Sequence, residues 1–140
     1  MGDLTRFIDA QEGVWETALA EIEDGRKMTH WMWFILPQLR GLGASAMAQR
    51  YGVADLAEAR AYLAHPVLGP RLVACVRAAL TNKDRSALEI FGPVDEMKFR
   101  SCLTLFAAVD PADATFGEAL TFFFRGIPDS RTLELLTAKH

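Results

Sequence analysis

Two short segments of this chain concentrate the residue types that do chemistry. The first is Arg26-Lys27, followed by His30-Trp31, Trp33 and Pro37-Gln38. Cations beside a histidine and two indole rings suit a flat anionic ligand. The rings stack on a base, a guanidinium or ammonium meets phosphate, and the Gln38 amide reads a base or sugar edge. The second is Asp95, Lys98-Phe99 and Ser101. Their i, i+3, i+6 spacing sets a carboxylate, an ammonium and a hydroxyl along one helical stripe. As a reacting set, Asp95 is the charge stabiliser or base and Lys98 the contact to a phosphate or leaving group. Arg26, His30, Trp31, Trp33, Gln38 and Ser101 are the candidate binding residues, and Asp95 and Lys98 the candidate catalytic pair.

Each has an ordinary alternative. Trp31 and Trp33 serve equally well as core, His30 as a helix cap, and Arg26 and Lys27 as cations complementing the end of a preceding helix. An Asp–Lys pair at i, i+3 on a solvated face is worth about 0.2–0.5 kcal/mol and needs no site. His65 before Pro66 reads as a turn residue or cap. Other constellations are missing: there is no Gly-x-Ser-x-Gly, no Walker A loop and no dinucleotide-binding glycine triplet after a strand. The histidines are His30, His65 and His140, with no i, i+4 pair, so neither a metal nor a cofactor is expected. Cys75 and Cys102 form no Cys-x-x-Cys and fall on apolar stripes, as buried free thiols do.

Helices must position these residues. Leu4, Phe7, Ile8, Trp15, Ala18, Leu19 and Ile22 recur at helical spacing from Asp3, an N-cap, to Gly25 at C′, with Gly13 weakening the middle. Trp31–Leu36 suits a buried strand or a short helix. With no partner strand in sight it reads as a helix with Thr29 or His30 at its start, closed by Pro37. Further helices are expected over 44–51, from an Asp55 capping box to Ala64, and to Leu80 with Leu68, Leu72, Cys75, Val76 and Ala79 on one face. A short helix over 85–91 has Asp84 as cap, and Pro93 opens the next. Phe99, Cys102, Leu103 and Phe106 then face Phe116, Leu120, Phe123 and Phe124. Phe122 falls off that second face, which implies burial on two sides. Asp129 caps the last helix. The expected fold is all-α, with residues 1–140 forming a single compact domain of about seven helices.

Composition agrees. The chain has 140 residues, 51% hydrophobic and 24% charged, enough for one domain. Fifteen Lys and Arg against eighteen Asp and Glu give a net charge of −3, which disfavours nucleic acid as a partner. No apolar run approaches the about 20 residues of a membrane span, and Met1–Phe7 does not resemble a signal peptide, so a cytoplasmic protein without membrane contact is expected. Nothing in the sequence specifies an oligomeric state.

Three blocks carry a resemblance: Gly25-Arg26-Lys27 with His30–Leu39 and Gly41-Leu42-Gly43-x-Ser45; Ala61-Tyr62-Leu63-x-His65-Pro66-Val67-Leu68-Gly69-x-Arg71-Leu72; and Ile90-Phe91-Gly92-x-x-Asp95-x-x-Lys98-x-x-Ser101 with Leu103–Phe106 and Phe116-Gly117. Together they resemble the bacterial domain-of-unknown-function family 1810 along nearly the whole chain. That resemblance implies a compact helical domain with no established activity. The label calpastatin, sometimes attached to such proteins, fits poorly, because inhibitory calpastatin segments are polar and disordered. Gly25-Arg26, Thr29-His30 and Asp95-x-x-Lys98-Phe99 also fall in the order seen in the NADAR proteins, which are associated with NAD and ADP-ribose. Thr29-His30-Trp31 stands where those carry Ser-Glu-His, so a carboxylate is missing. The leading expectation is a pocket for a small anionic ligand of nucleotide or ADP-ribose type, with N-glycosidic-bond hydrolysis as its catalytic form. The alternative is a protein-interaction or structural module in which Trp31–Phe34 is an exposed anchor patch. Whether the tryptophans and His30 share a concavity with Lys98 separates the two.

Overall fold

The computed structural model describes residues 4–82, 84–110 and 114–138. Among these there are ten helices: α1 (Thr5–Gln11), α2 (Trp15–Glu23), α3 (Met32–Ile35), α4 (Ala46–Tyr51), α5 (Leu56–Ala64), α6 (Leu68–Thr81), α7 (Ala87–Phe91), α8 (Pro93–Val109), α9 (Ala114–Phe124) and α10 (Ser130–Ala138). The only β feature among the described residues is an isolated parallel bridge, Leu39 to Val53.

The all-α expectation holds, but about seven helices was too few. The first expected helix is two: Gly13 adopts φ +72° and breaks the chain between α1 and α2. A left-handed residue cannot continue a right-handed helix, so the apolar stripe runs on across a kink rather than through one rod. The expected cap Asp3 lies outside the described residues. Within Trp31–Leu36 the expected helix forms, over Met32–Ile35, yet its N-cap is Trp31, without a side-chain bond, not Thr29 or His30. Ser86, not Asp84, caps α7, in a reciprocal capping box with Glu89. Asp55 caps α5, but the Glu58 carboxylate turns to Ala54 N and Arg6 instead of closing the box.

The core is built where the periodicity placed it. Phe99, Cys102, Leu103 and Phe106 of α8 and Phe116 of α9 are fully buried, with Leu120 and Phe124 nearly so. Phe106 meets Phe116 at 5.7 Å between ring centres, and Phe99 meets Phe123 at 5.6 Å, within the range of favourable aromatic pairs. Phe122 is 44% exposed, so α9 is not buried on two sides: the extra ring lies on its outer face. Both cysteines are free and buried, and burial pushes Cys75 up to about 12 and Cys102 further, so neither is a nucleophile near neutral pH.

Helices α5 and α6 join through the His65–Val67 turn, where the imidazole Nδ1 accepts from Val67 N and Leu68 N. Gly69 lets them approach. A Cβ there would lie 2.1 Å from the Leu63 carbonyl oxygen. Because that obstacle is backbone, Gly69→Ala must push α6 off α5, a loss of about 2–3 kcal/mol. Urea denaturation checks this, and an unchanged midpoint would contradict the packing described.

Among the described residues, no single helix is long and apolar enough to cross a membrane, and the α5–α6 pair is bent by 88°.

Candidate functional site

The two chemistry-bearing segments meet, through an intermediary the sequence did not announce. Glu21, on α2, gathers the segment before α3. One carboxylate oxygen accepts from Met28 N at 2.8 Å, Thr29 N at 3.0 Å and Trp31 Nε1 at 2.9 Å, and the other accepts from Thr29 Oγ1 at 2.7 Å. Burial works against this anion, but the four donors outweigh it and hold the carboxyl at about 2 instead of 4.5. With the loop fixed, the Lys27 ammonium, only 8% exposed, reaches Asp95 Oδ2 at 3.0 Å and lies 5.1 Å from the centre of the Trp31 ring. The other Asp95 oxygen is 3.8 Å from Lys98 Nζ, and Lys98 in turn sits 5.0 Å above Trp33. Asp95 is therefore a counter-ion shared by two lysines, one from each segment.

The Glu21 knot has a pH signature. A folded value below the unfolded one means that the folded state binds fewer protons, so its stabilisation is complete above about pH 5 and drains away as the pH falls towards 2. Solvent around this half-buried group reduces the contribution to about 1–2 kcal/mol. Wild type should exceed Glu21→Gln by that amount in urea denaturation at neutral pH, with the gap closing near pH 2. A gap that does not change with pH would refute the assignment.

Lys98 marks the edge of a cavity of about 310 Å³ between the loop after α3, the middle of α8 and the start of α10. Gln38 and Ser101 line it with Lys98, as does Arg131, a second cation. Leu42, Val94 and Met97 supply an apolar wall. Ser101 is buried and its hydroxyl donates to Met97 O at 3.1 Å, the back-bond of a helical serine. Asp129 fixes the start of α10, and so Arg131: its carboxylate accepts from Thr132 N at 2.9 Å, while its own N–H donates to Thr104 Oγ1 at 2.8 Å. Trp33 lies in a narrow crevice that shares Gln38 and Lys98 with the cavity.

Of the sequence candidates, Gln38, Lys98 and Ser101 are thus brought together, with Trp33 adjoining. Trp31 is fully buried and its indole N–H is engaged by Glu21. Asp95 stands beside Lys98 without lining the cavity, and Arg26 and His30 are exposed and line it neither. Met32 and Phe34 are core as well, so Trp31–Phe34 is not an exposed anchor patch. Arg131 and Glu21 were missed. An arginine just inside a capped helix and a glutamate on an amphipathic one look like any solvated charge until the tertiary fold places them.

A larger open groove, about 810 Å³, runs between α6 and α9 beside the exposed Phe122. Its charges, Arg77 and Glu118, pair at 3.0 Å across it, and it holds none of the candidate residues. Among the described residues, no three His, Cys, Asp or Glu side chains cluster to hold a metal ion.

The model of the protein family of unknown function DUF1810 matches residues 1–136. The crystal structure of the conserved hypothetical protein Rv1873 from Mycobacterium tuberculosis is similar, at 47% sequence identity and a TM-score of 0.95, with 96% of each chain covered. No curated protein matches the chain. These comparisons show no likeness to the NADAR proteins.

Proposed function

Since the chain belongs to the DUF1810 family of proteins of unknown function, its activity has to be read from its own site, and we propose that it binds a small nucleotide-like anion in the cavity at Lys98. The observation that carries this reading is the convergence of Lys98 and Arg131 on one concavity that also offers an amide, Gln38, and an apolar wall. Two cations meet a phosphate, Gln38 reads an edge, and Leu42, Val94 and Met97 take an apolar face of the ligand. The volume lies at the small end of ligand pockets, which run from about 300 to 1,000 Å³, so a mononucleotide fits this reading better than a full ADP-ribose.

The proposal stops at binding. N-glycosidic hydrolysis needs a carboxylate facing the scissile bond, whereas Asp95 is held between two ammonium groups and Asp129 caps α10. In this reading Asp95 sets the position of Lys98. The test is a thermal-shift panel of nucleoside mono-, di- and triphosphates. A ligand at 100 times its Kd adds about 2.7 kcal/mol of stability, so a monophosphate should raise Tm by several degrees. A panel that leaves Tm unmoved removes the reading.

A further inference from the structure

The charges around the anion cavity do not balance a doubly charged phosphate. Lys98 and Arg131 line it together with Asp129, a half-buried acid in the same wall, and every other lining residue is uncharged. Two cations and one anion leave the lining with one positive charge among the described residues. The groups behind it add nothing. Asp95, 3.8 Å from Lys98, is offset by Lys27 at 3.0 Å, and Glu96 and Arg100 stand together in the adjoining recess.

This balance separates two classes of phosphate. A diester carries one negative charge. A monoester carries two once its second proton has left, near about pH 6. The lining neutralises the first charge and has nothing for the second. With Leu42, Val94 and Met97 as an apolar wall, a charge that no cation meets is costly to bury, and Asp129 repels it as well.

We propose that the cavity selects singly charged phosphates, so that its ligand class is a phosphodiester of one nucleoside, cyclic or closed by a small alcohol, rather than the free monophosphate. This rests on the anion-binding reading of the same cavity. The volume of about 310 Å³ holds the class to a single nucleoside. Asp129 is then the specificity-determining residue: besides capping α10, its charge sets how much negative charge the cavity accepts. A monophosphate enters in its singly charged form, so it still binds, more weakly at neutral pH.

Titration calorimetry with adenosine monophosphate and its phosphate methyl ester, at pH 7.5 and 5.5, tests it. At pH 7.5 nearly all of the monophosphate is doubly charged, so wild type should bind the ester at least about tenfold more tightly. At pH 5.5 that ratio should fall to within about threefold. The ester does not titrate between these pH values, so the ratio removes any titration of the protein itself. Asp129→Asn keeps an acceptor for the Thr132 N–H at the cap and should bring the ratio at pH 7.5 to within about threefold by strengthening the monophosphate. An ester bound no more tightly than the monophosphate at pH 7.5, or a preference that survives at pH 5.5 or in Asp129→Asn, overturns the charge selection and leaves the anion reading intact. Should neither compound bind wild type, the anion reading falls and the selection with it. If Asp129→Asn does not fold, the two pH values on wild type still decide.

Discussion

Arg6→Met is expected to destabilise the protein by about 3–5 kcal/mol, the cost of stranding a buried charge. Arg6, on α1, donates to both Glu58 oxygens, at 2.9 and 3.3 Å, and the carboxylate side chain is only 3% exposed. The same guanidinium donates to Arg50 O at 2.8 Å and Gly52 O at 3.0 Å, so one side chain ties α1 to the end of α4 and the start of α5. Burial opposes the Glu58 anion, but Arg6, the Ala54 N–H and the charge of Arg40 hold its carboxyl below the ordinary range. The sign follows: the stabilisation is complete above the ordinary carboxylate pKa and fades as the pH falls. Adding Glu58→Met to Arg6→Met should recover part of the loss, because the stranded charge goes while the Arg50 and Gly52 carbonyls still lack their donor. Urea denaturation of the two single variants and the double gives the coupling directly. Additive losses would contradict the ion pair as described.

Trp31→Ala should cost about as much, roughly 3–5 kcal/mol, with a consequence Arg6→Met lacks. The indole is fully buried and holds one of the four donors on Glu21. Its removal opens a cavity under α3 and loosens the segment that delivers Lys27 to Asp95. Trp31→Phe keeps most of the apolar volume but loses the N–H, so a loss of about 1–2 kcal/mol is expected. A Trp31→Phe variant as stable as wild type would mean that Glu21 does not need that donor.

The sequence made α8 and α9 legible because both carry long runs at helical spacing, and burial on one face is what produces such runs. It was less informative at short elements. Gly13 was visible, but whether a glycine merely weakens a helix or ends it depends on its φ, which tertiary packing decides. At the site, Lys98 and Ser101 were legible as one stripe and Gln38 as a recognition amide after the aromatic run. Trp31, read as a ligand contact, is fully buried: an indole near cations looks the same in the sequence whether it faces a pocket or the core. His30 was placed at a helix start that begins one residue later, on Trp31. Arg131 gave no sequence signal, since what distinguishes it is the neighbouring wall.

The central claim is that Lys98, not His30, anchors the bound anion. Titration calorimetry with adenosine monophosphate on wild type, Lys98→Gln and His30→Asn tests it most directly. Lys98→Gln should weaken binding at least about tenfold, as loss of a charge-assisted contact does. His30→Asn, altering an exposed side chain outside the cavity, should leave the affinity within about twofold. Unchanged affinity in Lys98→Gln, or binding abolished by His30→Asn alone, would contradict the site.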